Sequence, residues 1–147
     1  MIELGPQSRR ALQAILYEGI AVLTVTPAIA FAFGEKPLSS FFLSLSMSTI
    51  ALIWNFLFNT LFELWESRQA RGGRSPMRRF AHGVGFEGGL TILLVPVMAI
   101  WLDIPYLEAF VANLGFLVFF FFYTIGFTWS FDRVFGLPAS ALRQGRE

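Results

Sequence analysis

The sequence predicts an all-α membrane protein, with four transmembrane helices arranged as two tandem helical hairpins and both termini cytoplasmic. Three observations predict it. The 147 residues are 55% hydrophobic and only 14% charged, against roughly 25% charged in an average soluble domain, and the mean hydropathy is +0.61. The apolar residues gather into four stretches, each matching the roughly 20 helical residues that cross a ~30 Å hydrocarbon core. Finally, the two halves of the chain repeat each other in register.

The first stretch runs from about Leu12 to Phe33. Arg9-Arg10 before it and Ala28-Ile29-Ala30 near its end imitate a signal peptide. The run exceeds the usual h-region of 7–15 residues and carries Glu18, so it is expected to be retained. Gly34-Glu35-Lys36-Pro37 is a short turn leading to the second stretch, about Phe41 to Phe62. SRQARGGRSP, from Ser67 to Pro76, then reads as a flexible basic loop. The third stretch spans about Ala81 to Leu102, Asp103-Ile104-Pro105 forms the second turn, and the fourth spans about Leu107 to Phe131. The expected organisation is a first transmembrane pair at 9–66, a cytoplasmic loop at 67–77, a second pair at 78–135 and a cytoplasmic tail at 136–147. Membrane strands would be shorter and would alternate polar with apolar residues, which these stretches do not.

Charge fixes the expected orientation. Arg9, Arg10, Arg68, Arg71, Arg74, Arg78, Arg79, Arg133, Arg143 and Arg146 fall on one side of this topology and only Lys36 on the other. The positive-inside rule makes the arginine side cytoplasmic. A net charge of +1 argues against nucleic acid as a partner. The absence of cysteine excludes disulfides, iron–sulfur clusters and thiolate metal sites, and a single histidine makes a poor metal site.

A shift of 69 residues superposes the halves: Arg9-Arg10 on Arg78-Arg79, Gln13 on His82, Tyr17-Glu18-Gly19 on Phe86-Glu87-Gly88, and Pro27 on Pro96. Without a gap it continues through Trp54-Asn55 on Tyr123-Thr124, Phe58-Asn59 on Phe127-Thr128, and Phe62-Glu63 on Phe131-Asp132. Chance hydrophobic similarity aligns leucines, not arginines, glutamates and prolines. The chain is thus a duplicated hairpin, with both copies facing the same way about an expected pseudo-two-fold axis along the membrane normal.

Ionisable groups inside a membrane are functional candidates by default. Counted from Leu12 at 1.5 Å per residue, Glu18 lies about 9 Å deep, and Glu87 has the matching depth in the third stretch. Removal from water makes the charge of a carboxyl costly unless something compensates it. Such a group can exchange a proton or bind a cation, or it can hydrogen-bond a neighbouring helix. Glu63 and Asp132 sit at the helix ends, as solvated or arginine-paired residues or as part of a polar path. Asn55, Asn59 and Glu63 share one helix face, as interhelical glue or an extension of that path. His82 suits a helix-end hydrogen bond or a proton relay. Gly85 and Gly89 make a GxxxG spacing, expected to press a neighbouring backbone against Glu87. Pro27 and Pro96 are expected to kink their helices.

Eighteen phenylalanines exceed what spanning a bilayer demands. Trp54, Trp65, Trp101, Trp129, Tyr106 and Tyr123 suit interfacial belts. Phe116 and Phe119-Phe120-Phe121-Phe122 lie within the span, some facing lipid and others available to a cavity. Ring faces hold a cation with about 0.5–2 kcal/mol each. The aromatic candidates for cation binding are Tyr17, Trp54, Phe58, Phe86, Tyr123 and Phe127, beside the proton-coupling candidates Glu18 and Glu87.

The segments RRALQAILYE, WNFLFNTLFE, RRFAHGVGFEGGLTILLVP and YTIGFTWSFD resemble the four signature motifs of the proteobacterial antimicrobial compound efflux (PACE) transporters, which carry two bacterial transmembrane pair domains. The resemblance covers roughly Arg9 to Asp132. It implies a proton-coupled exporter of cationic biocides (chlorhexidine, acridines, quaternary ammonium compounds) or short diamines in the bacterial inner membrane. It also implies that Glu18 is the proton-coupling residue. Gln13 and Thr128 replace the histidine and asparagine common in the first and fourth motifs, and Glu63 replaces a frequent aspartate. None of these changes touches Glu18 or Glu87, although they bear on substrate range.

The expected function is therefore antiport, driven by the proton gradient with no cofactor. Four helices leave little room for a cavity and two gates, so a homodimer is expected. Two other readings stay open: a small-cation channel and a non-transporting membrane assembly protein. No nucleophile–base pair or metal cluster suggests an enzyme.

Overall fold

The computed structural model describes residues 5–70 and 75–136. They form four α-helices: α1 Pro6–Phe33, α2 Pro37–Ser67, α3 Pro76–Leu102 and α4 Tyr106–Phe135. Each is long and apolar enough to cross a membrane, and the chain is a multi-pass membrane protein. Arg71, Arg74, Arg143 and Arg146, with the tail from residue 137, lie outside the described residues.

Proline sets the helix starts. Pro6, Pro37 and Pro76 are first residues, and Pro105 immediately precedes α4. The N–H that proline lacks would be unsatisfied at a helix start anyway, and the ring pre-sets a helical φ. Ser75 adds a side-chain cap to α3, its hydroxyl oxygen accepting from the Arg78 N–H at 3.3 Å. Left-handed residues end the first and third helices: Gly34 at φ 65° and Asp103 at φ 52°. Aspartate is one of the few side chains that tolerates this region. The Ile104 N–H then donates to the Ala99 carbonyl at 3.1 Å.

The helices outrun the apolar stretches at their arginine-bearing ends. α1 starts at Pro6 rather than near Leu12, α2 runs past Phe62 to Ser67, α3 starts at Pro76 rather than near Ala81, and α4 runs past Phe131 to Phe135. Hydropathy detects only the turns that lie in hydrocarbon, whereas backbone hydrogen bonding continues through the more polar turns beyond. Glu63 and Asp132 are accordingly inside helices rather than at their last residues. Pro27 and Pro96 lie inside α1 and α3, which remain single helices through them.

The chain divides into two compact units. In one, the first part of α1, up to Thr24, packs with α4 from Leu114 onward. Its buried residues include Arg9, Ala21, Val22 and Phe131. The other, Val25–Asn113, holds α2 and α3, the end of α1 and the start of α4. Its core draws on all four helices, with Ile29, Leu43, Met98 and Ala109 fully buried. Polar groups within it pair up: Asn113 Nδ2 donates to the Thr91 hydroxyl at 3.1 Å, and the Ser44 hydroxyl to the Ser40 carbonyl at 2.8 Å. α2 and α3 pack closely against each other. Each helix leaves large apolar side chains exposed, among them Phe31, Phe56, Ile100 and Phe122, as a lipid-facing exterior requires.

Candidate functional site

Glu18 follows Tyr17 on α1 and is half-buried. The Tyr123 hydroxyl, from α4, donates to the main-chain carbonyl of Tyr17 at 2.7 Å. The Tyr17 hydroxyl in turn pairs with the Thr124 hydroxyl at 2.8 Å. Tyr17 and Tyr123 have ring centroids 4.9 Å apart, and Tyr17 meets Phe127 edge-on at 5.2 Å. Phe119 stacks on Tyr123 at 5.6 Å, while Phe121 and Phe122 point outward. The Glu18 turn is therefore bordered by Tyr17, Tyr123 and Phe127.

Glu87 follows Phe86 on α3 and is also half-buried. The Trp54 indole N–H, from α2, donates to the main-chain carbonyl of Phe86 at 2.9 Å. Phe86 meets Phe58 edge-on at 5.7 Å. In the register of 69, Trp54 corresponds to Tyr123 and Phe86 to Tyr17. The same bond is made twice, each time from the second helix of one repeat to the carbonyl preceding the glutamate of the other. The ring ladders match as well. Trp54–Phe58–Phe62 has centroid separations of 5.4 and 5.8 Å, and Tyr123–Phe127–Phe131 has 5.9 and 5.8 Å. Both ladders are spaced at four residues and so lie along one helix face.

The copies differ where α3 has Gly85 and Gly89 and α1 has Leu16 and Ile20. A Cβ on Gly85 would meet the Phe58 ring at 3.1 Å, and one on Gly89 would overlap the Trp54 ring. The GxxxG groove thus receives two rings. The expectation that it presses a neighbouring backbone against Glu87 is corrected, because Trp54 and Phe58 recur at the same four-residue spacing and fill both notches.

His82 Nε2 lies 2.8 Å from Asn59 Oδ1, and Asn59 Nδ2 donates to Asn55 Oδ1 at 2.5 Å. Asn59 therefore joins α2 to α3, while Asn55 is bonded within its own helix. The His82 ring sits among Phe58, Phe62 and Phe86. Glu63, one turn beyond Asn59, is exposed. Asp132 is arginine-paired: Arg9 forms an ion pair with it, donates to the Gly136 carbonyl at 2.9 Å and lies 5.1 Å over the Phe131 ring. Its repeat counterpart Arg78 lies over the Trp65 ring at 6.0 Å.

The sequence marked Arg9 by its orientation and its register without naming its partner, placed Thr124 in the register without a role, and gave Asn113 and Thr91 none. Register offered one signal, because Arg9 and Asp132 both have counterparts in the other half, a sign of paired rather than loose charges. Among the described residues no cluster of three or more His, Asp or Glu could hold a metal ion.

A family model described as chlorhexidine efflux transporter matches the chain twice, over residues 6–68 and 74–137. The chain is 37% identical over 128 residues to a short-chain diamines transporter of Vibrio parahaemolyticus, covering 87% of this chain and 91% of that one. It is 32% identical over 126 residues to a short-chain diamines transporter of Acinetobacter baumannii, covering 86% and 87%. A third relative with the same name, from Acinetobacter baylyi, is 30% identical over 126 residues, covering 86% and 89%. No solved structure matches the chain. With a duplicated match across nearly its whole length and transporters for relatives, the chain belongs to the proteobacterial antimicrobial compound efflux family and has a transport role.

Proposed function

We propose that the protein exchanges inward-moving protons for outward-moving organic cations across the bacterial inner membrane, with both termini cytoplasmic. The observation that carries this reading is the setting of Glu18: an acidic side chain on a membrane helix, on a turn bordered by Tyr17, Tyr123 and Phe127. A carboxylate supplies the charge and ring faces supply cation–π attraction without demanding a strict shape. Three relatives are named for short-chain diamines and the family for chlorhexidine, so the proposed substrates are diamines and lipophilic cationic biocides. Glu87, on the equivalent turn of the second repeat, is the proposed second proton- or cation-binding carboxylate.

In this reading the two ligands compete for one group. Protonated Glu18 releases the cation, and deprotonated Glu18 binds it. Each proton entering down 100 mV supplies about 2.3 kcal/mol, and each favourable pH unit about 1.4 kcal/mol. The gradient is the whole drive, and no cofactor takes part. The ten-to-one placement of basic residues supports the orientation. The transmembrane pairs at 9–66 and 78–135 are the proposed building blocks, and a homodimer the proposed working form.

The test is proton-driven uptake of 1,5-diaminopentane into everted vesicles containing wild type or Glu18→Gln. The variant should insert and fold yet lose gradient-driven uptake. Normal uptake by Glu18→Gln sinks the assignment of coupling to Glu18. A saturation-free current without proton exchange would instead mark a channel.

A further inference from the structure

We infer that Trp54 and Tyr123 are positioning residues that aim the two glutamates through main-chain carbonyls, an inference that rests on the proposed coupling role of those glutamates. Each side chain bonds the carbonyl of the residue immediately before a glutamate, Tyr123 to Tyr17 and Trp54 to Phe86. The chemistry differs, a phenol in one repeat and an indole in the other, yet donor, acceptor and place relative to the glutamate are the same. Ring packing alone needs no donor. In a chain with eighteen phenylalanines, these two corresponding positions of the ring ladders carry rings with an N–H or O–H.

The mechanics follow from helix geometry. A carbonyl has two lone pairs, so it can keep its place in the helix ladder and accept a second donor from outside. That second bond ties one turn to a fixed point on the neighbouring helix and opposes rotation about the axis. Side-chain ends stand about 5–6 Å from a helix axis, so a helix rotation of roughly 20° would sweep the carboxyl by about 2 Å. Misplacement of about 1 Å is enough to cost a charged site much of its action. The main-chain acceptor also explains why Tyr17 and Phe86 can differ between repeats: the carbonyl is common to both.

The donor atom acts through the glutamate, whereas a ring face acts on the cation itself, and a variant that keeps the ring while losing the donor separates the two. The experiment is calorimetric binding of 1,5-diaminopentane to the purified full chain across a pH series. The set is Tyr123→Phe, Tyr123→Trp, Glu18→Gln and the Tyr123→Phe/Glu18→Gln double variant. Tyr123→Phe keeps the ring and loses the donor. It should weaken binding about tenfold and displace the pH midpoint, with no more change in the thermal unfolding midpoint than the loss of one interhelical hydrogen bond brings. Tyr123→Trp, carrying the donor used in the other repeat, should restore most of the affinity. In the Glu18→Gln background, Tyr123→Phe should add nothing. Wild-type affinity and pH midpoint in Tyr123→Phe would overturn the inference. So would equal impairment in Tyr123→Phe and Tyr123→Trp, or a full additional loss in the double variant. If Glu18→Gln itself binds with the wild-type pH profile, the coupling reading fails and takes this inference with it. If Glu18→Gln abolishes the pH dependence while Tyr123→Phe is silent, only the inference fails. Trp54→Phe and Trp54→Tyr with Glu87→Gln form the matching set for the second repeat.

Discussion

The hydroxyl of Tyr123 donates to the carbonyl of Tyr17 at 2.7 Å, so a side chain of α4 is fastened to the backbone of α1 one residue ahead of Glu18. Because the acceptor is main chain, substitution at Tyr17 cannot delete it. Tyr17→Phe should remove only the 2.8 Å bond to Thr124. Interhelical hydrogen bonds in membranes average about 0.6 kcal/mol, so the variant should lose about that much in a reversible unfolding measurement in mixed micelles. A loss several times larger would mean that the Tyr17 hydroxyl, and not its carbonyl, is the main tie between these helices.

Adjacent glycines should respond in opposite directions. A methyl group on Gly89 would overlap the Trp54 ring, whereas one on Gly88 meets open space. Gly89→Ala should therefore part α2 from α3 and destabilise by about 1–3 kcal/mol, the usual penalty for overpacking. Gly88→Ala should be neutral or gain up to about 1 kcal/mol from helix propensity. Trp54 fluorescence offers a local readout, with a changed emission maximum expected in Gly89→Ala alone.

The contrast between those glycines shows how far sequence reasoning reached. Helix number, turn positions and duplication were legible, because length and register are one-dimensional properties. The closeness of α2 and α3 was signalled by Gly85 and Gly89, but not the identity of the group filling the groove. Helices that are apolar nearly all round give periodicity no face to report, so the pairing of α1 with α4 through Tyr17 and Tyr123 left no pattern. A carbonyl acceptor has no residue signature either, which hid both bonds beside the glutamates. Asn59 was readable as a helix-joining group because polar side chains in hydrocarbon must find partners, and His82 as a helix-end hydrogen bond or a relay. Their pairing with each other needed coordinates.

Arg9 and Asp132 should tolerate conservative change poorly. Arg9 is only 9% exposed and serves the Asp132 carboxylate, the Gly136 carbonyl and the Phe131 ring at once. Lysine, a point charge on a flexible stem, cannot reproduce that planar fork. Arg9→Lys should cost about 1.5–3 kcal/mol, the range of a hydrogen bond to a charged group. Asp132→Asn should cost somewhat more, because it leaves the guanidinium without its counter-charge. Both are read from unfolding midpoints in detergent, and the Arg9→Lys/Asp132→Asn pair should fall short of additive.

In the proposed antiport, a proton and a cation compete for Glu18, and that competition sets the sign of the pH response. In that scheme the carboxylate binds the cation and the protonated acid does not. Affinity should therefore be constant above the titration range of the group and fall about tenfold per pH unit below it, where the neutral form dominates. Linkage makes the effect reciprocal: if protons weaken cation binding, cation binding must expel protons. Adding 1,5-diaminopentane to the detergent-purified protein in weak buffer should acidify the medium, approaching one proton for each carboxylate engaged. Glu18→Gln removes the titrating group and should flatten the affinity profile and abolish its share of the release. If acidification persists undiminished in Glu18→Gln and disappears in Glu87→Gln, the coupling carboxylate is the one beside the Trp54–Phe86 bond.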